Sequence, residues 1–370
     1  MNVPFMDLAR QHAPIRDALH AAACRVIDSC SYIGGEEVKG FEKEMAAWMG
    51  VPEVCSAGCA TSGLFATLKG FGIGPGDEVI TTVHTAIATA EAISMAGAQV
   101  VFCDLQPGYF NLDPEQIRKK ITSRTRALIP VHLYGQPADL ETILSLASQH
   151  GLKVIEDCAQ AQGARYKGKY VGTFGDAAVF SFFPSKNLGG FGDGGAAVAK
   201  DPAVLKKIRM FSNHGRDSKY IHEFEGMNSR LDAMQAALLR VCLPHLDKWN
   251  AQRRSAARKY NRTLASISEV KVPRELPDTE PIYHVYCIVV PDREDLRKYL
   301  KEKGVATGVH YPYSLNMQPA YAALGQGEGS FPHAEHACKH MLSLPMFPGI
   351  TDEELDYVCD AIRSYFKGGK

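Results

Sequence analysis

Along the first half of the chain, apolar positions fall into two alternating patterns: one helical turn apart, and side by side in short runs. From residue 36 the segment EEVKGFEKEMAAWMG places them at helical spacing, and Gly50 closes it. A second helix is expected over about 61–70. The turn GIGPGDEVI leads into a strand at 78–81, AIATAEAISMA (86–96) reads as a helix, and AQVVFCD reads as another strand. A helix over 114–121, a strand over 126–131, a helix over 139–150 and a strand over 153–156 continue the rhythm. These strands are short and apolar on both faces, as parallel strands covered by helices are. The alternation builds βαβ units and predicts an α/β fold with a mostly parallel sheet.

After residue 157 the pattern shifts to glycine-rich segments, with strands expected at 177–181 and 195–199. Helices return at about 202–212, then as one long helix from about 230 past 245, and over 251–265. Pro273, Pro277 and Pro281 interrupt the pattern. A strand (283–290), a helix (REDLRKYLKEKG) and a final helix (DEELDYVCDAIRSYF) follow. At roughly 100–200 residues per domain, 370 residues suggest one large and one small domain. A division near 245–255 is expected, with residues 1–250 as a large domain that includes an N-terminal helical segment and 251–370 as a small α+β domain.

Lys+Arg and Asp+Glu both number 41, so no net field favours a nucleic acid polymer or an anionic membrane. No apolar run approaches the roughly 18 residues that a spanning helix needs. The opening MNVPFMDLARQHAPIRD resembles neither a signal peptide nor a transit peptide, so a cytoplasmic location is expected. The ten cysteines are scattered singly without a CxxC pair and read as reduced, mostly core thiols. No metal is expected: His333, His336 and His340 share a helix face, but no HExxH accompanies them.

Three peptides at the ends of expected strands carry candidate chemistry, because ligands of open α/β sheets sit outside the carboxyl ends of strands. Ala60-Thr61-Ser62 opens a helix, where backbone N–H groups hold either a phosphate or a simple N-cap. Asp157 follows the strand VIE, and Lys186 lies in the turn SFFPSKN. Separately these are a turn carboxylate and a surface lysine. Together they suit pyridoxal phosphate, which needs a lysine amine and an acid opposite its ring nitrogen. The literal GxGxxG from Gly190 to Gly195 precedes a strand rather than a helix, which argues against a dinucleotide site.

The run EDCAQAQGARYKGKYVGTFGDAAVFSFFPSKNLGGFGDGGA (156–196) resembles the signature of the DegT/DnrJ/EryC1/StrS aminotransferases. So do SYIGGEEVKGFEKEMAAWMGV, GIGPGDEVITT, NLDPEQI, GMNSRLDAMQAA and GVHYPYSLNMQPAY, in consistent order from about residue 4 to 365. The segments HGRDSKYIHEFEGMNSRLD, SFFPSK, HYPYSLNMQP and SLPMFP are most similar to 3-aminotransferases of UDP-linked 2-acetamido-3-keto sugars, including the 3-keto-glucuronate enzymes of O-antigen assembly. The resemblance implies a fold-type-I pyridoxal-phosphate enzyme. Its amino group would pass from L-glutamate to a keto group, at C3, of a nucleotide-linked sugar by a ping-pong route. The same scaffold also carries 4-keto-sugar and cyclitol aminotransferases, and a non-catalytic regulator is the reading from another class.

By motif, Lys186 would hold the cofactor covalently and move the proton, Asp157 would face the pyridine nitrogen, and Gln160 would lie near the 3-oxygen. Thr61, Ser62 and Ser181 would hold the phosphate, with Asn228 reaching it from the partner subunit of a homodimer with shared sites. Arg230, His310 and Tyr311 match positions near the sugar nucleotide. Two positions depart from the family pattern. Ala86 stands where an aromatic residue usually stacks on the pyridine ring, and Ala60 where glycine is common. His84 is either a replacement ring or a structural loop histidine.

Overall fold

The computed structural model describes residues 1–368. Seven strands form the main sheet: β1 (Cys55–Ala57), β2 (Glu78–Thr82), β3 (Gln99–Cys103), β4 (Thr125–Ile129), β5 (Lys153–Asp157), β6 (Ala177–Ser181) and β7 (Gly195–Ala199). Their spatial order is β1-β7-β6-β5-β4-β2-β3, parallel throughout except that β7 runs against both of its neighbours. The expected α/β class with a mostly parallel sheet is therefore present. Every residue of β2 and of β6 is buried, including Glu78, Thr81 and Thr82, so neither strand shows the alternation of a half-exposed strand.

The helices that cover the sheet end where their sequences dictate. After α1 (Arg16–Ser29), α2 (Gly35–Met49) stops at Gly50, whose φ of +71° a side-chain-bearing residue rarely adopts. The phosphate-type turn opens α3 (Ala60–Gly70), and α4 (Ile87–Met95) follows β2. Asp113 caps α5 (Pro114–Lys120) and Asp139 caps α6 (Leu140–His150), each accepting a backbone N–H, while Asp201 does the same for α7 (Pro202–Phe211).

The long helix expected past 245 is interrupted. α8 (Ala233–Cys242) gives way to a 3₁₀ turn, Leu243–His245, and then to α9 (Leu246–Leu264). Pro244 lacks the N–H that a continuous α-helix needs there. The start of α9 packs Leu246 and Trp249 beside Phe41, Phe180 and Leu239 of the sheet layer. Its end packs Ala256, Tyr260 and Leu264 into a second core with Tyr286, Leu342 and Ile362, which Val3 from the N-terminus joins.

That second core lies against an antiparallel pair, β8 (Tyr286–Val289) and β9 (Met341–Leu344), with helices α10 (Arg293–Glu302) and α12 (Asp352–Phe366), whereas α11 (Pro332–His340) packs Ala334 and Ala337 into the core of the large sheet. Each fully buried Leu, Ile or Phe in these layers contributes roughly 1.5–3 kcal/mol relative to exposure. Among the described residues, no helix is long and apolar enough to cross a membrane.

Candidate active site

The carboxyl ends of β5 and β6 and the start of α3 bring the candidate residues together. Asp157, the last residue of β5, is 4% exposed. Its Oδ2 accepts from Thr89 Oγ1 at 2.8 Å and its Oδ1 from the Ala159 N–H at 3.1 Å. Among the described residues no cation lies within salt-bridge distance, so this buried carboxylate has only neutral protein partners. Lys186, in the turn after β6, is partly accessible, but its ammonium sits where solvation is largely lost. Burial pushes its pKa down to about 8, against the opposing pull of the nearby Asp157 charge.

The neighbours of Lys186 respond to its charge. Burial first, and then Lys186, hold the imidazoles of His284 and His310 below the ordinary histidine value. Gln160 is oriented by the Tyr134 backbone N–H, which donates to its Oε1 at 2.7 Å, so its Nε2 donates to the Tyr311 hydroxyl at 3.2 Å. Burial pushes the Tyr311 phenol up to about 12. His310 is fixed through Ser343 Oγ at 2.9 Å and by the Phe5 ring, stacked at 5.5 Å.

At the head of α3, Thr61 is partly exposed and Ser62 Oγ donates to the Cys59 carbonyl at 3.0 Å. The Ser229 hydroxyl bonds to Ser62 and accepts from the Gly58 N–H at 3.1 Å. Ser181 closes β6, where it pairs in register with Gly195. Gly195 packs so tightly on this turn that a Cβ there would lie 2.5 Å from the Cys59 carbonyl carbon and 2.7 Å from the Ala60 nitrogen. Three hydroxyls thus gather near a helix N-terminus, an arrangement that accepts an anion. Asn228 is exposed on the segment that carries Ser229, and Arg230 follows, its Nη1 donating to Asn213 Oδ1 at 3.2 Å.

His84 is placed differently. It is 1% exposed, with Nε2 at 2.8 Å from the Tyr134 hydroxyl and Nδ1 at 3.4 Å from Cys338 Sγ. Both ring nitrogens of His84 are thus engaged by protein groups, the contacts of a structural loop histidine.

Several residues of the site were not foreseen. Thr89 lies inside the helix expected over 86–96, three residues after Ala86, and Ser229 directly follows Asn228, so both stood in view without a signal separating them from their neighbours. Glu156 carries a buried clamp: its oxygens accept from the N–H groups of Gly172, Phe174 and Gly175 at 2.7–2.9 Å and from His132 Nε2 at 3.0 Å. Burial works to raise its pKa, but His132 and the backbone donors outweigh that and hold it below the usual carboxylate range. His132, Glu156 and Cys158 have the compactness of a metal group, yet His132 and Glu156 are already engaged by each other and by backbone N–H groups. The Ala138 N–H donates to His132 Nδ1 at 3.0 Å, which leaves Nε2 protonated and turned to the carboxylate. The literal GxGxxG loop packs Gly190 and Gly192 against Gln235 ahead of β7.

Comparison with known proteins agrees with this chemistry. The family model described as the DegT/DnrJ/EryC1/StrS aminotransferase family matches residues 14–363. The chain is 45% identical to a pleiotropic regulatory protein of Geobacillus stearothermophilus over 99% of each chain. It is 44% identical to the dTDP-3-amino-3,4,6-trideoxy-alpha-D-glucose transaminase of Streptomyces venezuelae, over 98% of this chain and 96% of that protein. It is 40% identical to the UDP-N-acetyl-3-dehydro-alpha-D-glucosamine 3-aminotransferase of Acidithiobacillus ferrooxidans, over 99% and 98%. Among solved structures, that of S. venezuelae DesV in complex with a ketimine intermediate superposes with a TM-score of 0.97 at 44% identity, covering 99% of both chains. With a lysine and a carboxylate at the ends of adjacent parallel strands and matches that span the whole fold, this chain belongs to the DegT/DnrJ/EryC1/StrS family of pyridoxal-phosphate-dependent sugar aminotransferases.

Proposed function

We propose that this enzyme moves an amino group from L-glutamate to the C3 keto group of a nucleotide-linked sugar by a ping-pong route, with Lys186 and Asp157 as its central residues. The observation that carries this reading is a desolvated lysine amine near a buried carboxylate that, among the described residues, has no cation within salt-bridge distance. The donor set fits pyridoxal phosphate: a carboxylate awaiting a protonated ring nitrogen, an amine with a pKa of about 8, and hydroxyls at a helix N-terminus for the phosphate. When bound, that cofactor supplies an electrophilic carbonyl carbon and a ring that accepts the electrons of a breaking C–H bond.

The chain's own residues do the rest. Asp157, held by Thr89 and the Ala159 N–H, would keep the ring nitrogen protonated, and Gln160 would lie near the 3-oxygen. Thr61, Ser62 and Ser181 would hold the phosphate, with Asn228 contributed by the partner subunit of a homodimer that shares its sites. Lys186 would anchor the cofactor through its Nζ, and its free amine would carry the proton that the substrate carbon gives up. Its lowered pKa leaves a usable fraction of free amine at neutral pH. Arg230, His310 and Tyr311 face the sugar nucleotide. Residues 1–250 form the cofactor domain and 251–370 the small domain, and the enzyme works in the cytoplasm beside its nucleotide-sugar supply.

The visible spectrum of protein reconstituted with pyridoxal phosphate tests this reading. A cofactor band that is lost when glutamate is added and restored by UDP-N-acetyl-3-dehydroglucosamine is the expected result. A band that ignores glutamate overturns the donor, and a band restored only by a 4-keto sugar overturns the C3 acceptor. The similarity to the Geobacillus regulatory protein favours a second reading, a regulator without turnover. Absence of any cofactor band would place that reading first.

A further inference from the structure

Beneath the substrate-facing segment runs a buried chain of polar groups that no step above uses. Cys338 Sγ lies 3.4 Å from His84 Nδ1, His84 Nε2 lies 2.8 Å from the Tyr134 hydroxyl, and the Tyr134 hydroxyl bonds to the His310 carbonyl oxygen. Cys338, His84 and Tyr134 are each no more than 5% exposed. Tyr134 holds a left-handed backbone (φ +58°), unusual for a residue with a side chain, in the turn that follows β4.

The direction of the chain follows from proton counting. A carbonyl oxygen only accepts, so Tyr134 spends its single hydroxyl proton on His310; the thioether of Met341, at 3.4 Å, is the weaker alternative acceptor. The bond between Tyr134 and His84 then requires the proton on His84 Nε2. His84 Nδ1 is left as an acceptor, and the Cys338 thiol supplies its hydrogen. Burial agrees with this sequence: it pushes His84 down to about 4 and Cys338 up to about 12, so the imidazole is neutral and the thiol protonated at pH 7.

Tyr134 also acts on the neighbouring residue of the same segment. Its backbone N–H fixes Gln160 Oε1 at 2.7 Å, which aims Gln160 Nε2 at the Tyr311 hydroxyl. His310 is therefore held through its carbonyl and Tyr311 through its phenol, both by way of one residue.

We propose that Tyr134 and His84 are positioning residues, forming with Cys338 a one-directional hydrogen-bond chain that holds His310 and Tyr311 in place for the acceptor sugar. This rests on the reading of His310 and Tyr311 as substrate-facing. A buried chain of this kind acts where it is fully satisfied, because losing one link strands the next donor or acceptor. Tyr134→Phe keeps the ring and the backbone bond to Gln160 while removing the link to both His84 and His310.

Two measurements test the proposal. Nitrogen-15 NMR of the full-length protein labelled at histidine, with the His84 resonances assigned from His84→Gln, should give the Nε2–H tautomer of a neutral ring at pH 7. An Nδ1–H tautomer or an imidazolium overturns the chain, whatever the enzyme's substrate. In the reconstituted enzyme, Tyr134→Phe should raise the apparent KM for UDP-N-acetyl-3-dehydroglucosamine by roughly tenfold, the effect of one buried bond, with a smaller change in the glutamate half-reaction. His84→Ala should behave alike, and His84→Gln, whose carboxamide still donates an N–H, should recover much of the loss. An unchanged KM, or equal losses in both half-reactions, overturns the positioning role. Failure of the unmodified enzyme to aminate that sugar would instead count against the acceptor proposed above.

Discussion

Lys186 has the conflict built into most buried lysines: the environment that makes its amine reactive also makes its ammonium costly. The shift from 10.5 to about 8, caused by burial, means that the unfolded chain holds this proton more tightly than the folded one. At pH 7 both forms are charged and the folded state carries the full penalty, at most about 3.5 kcal/mol at about 1.4 kcal/mol per pKa unit. Lys186→Met should therefore melt at a higher temperature than the parent when both are cofactor-free at pH 7. The advantage should shrink as pH rises from 8 through 10.5, where both folded and unfolded lysines become neutral. Thermal melts at pH 7 and pH 10 check this, and an advantage that grows with pH would mean the lysine is not desolvated. Asp157 and Lys186 were legible in the sequence because each stands where a strand leaves the core. Thr89 and His284 were not, since each reaches the site through a fold contact that no local spacing encodes.

Among the elements, β7 does more than complete the sheet. It runs antiparallel between β1 and β6 and brings Gly195 against the Cys59–Ala60 turn. A methyl group there would meet backbone rather than a flexible side chain, so Gly195→Ala should push the head of α3 away from the strand. The expected outcome is a weaker grip on the phosphate: cofactor affinity, measured by titrating pyridoxal phosphate into the cofactor-free variant, should fall roughly tenfold, consistent with one or two lost hydrogen bonds. Unchanged affinity would mean that the turn absorbs the methyl. The strands of the βαβ alternation were readable because both faces are covered, so each carries a short run of adjacent apolar residues at its centre. β1, with only three residues, and β9, which lies between α11 and a proline-rich turn, carry too few positions for a period to register. The same holds for the break at Pro244: the apolar spacing runs on through it, and only the missing N–H stops the helix.

At the scale of the whole molecule, large apolar side chains stand exposed around the site. Ile87 neighbours Ala86, Phe183 precedes Lys186 in its turn, and Tyr313 follows Tyr311; these are 44%, 52% and 64% exposed. Solvent-facing apolar groups gathered near a site suit a covering partner, and a second copy of the chain that contributes Asn228 is the proposed one. Lys186→Ala should lose turnover as a homodimer, as should Asn228→Ala in large part. Mixing the two should restore activity in hybrid dimers, in which one site keeps both residues. Complementation that never exceeds the parents, with subunit exchange verified by native mass spectrometry, would assign Asn228 to its own chain's site.

The sequence by itself determined the covering of parallel strands by helices, the family, and the residues whose chemistry depends on local placement: a lysine in a strand-end turn, an aspartate closing a strand, hydroxyls opening a helix. Each is set by short-range physics, by periodicity, capping and turn geometry acting within a few residues. Only the tertiary structure decided how those residues are supported. The antiparallel course of β7, the meeting of Ser229 with Ser62, and the line from Cys338 through His84 and Tyr134 to His310 join positions far apart in the chain. The same is true of His84. The sequence offered it either as a stacking ring or as a structural histidine, and only the fold supplied the partners on its two nitrogens.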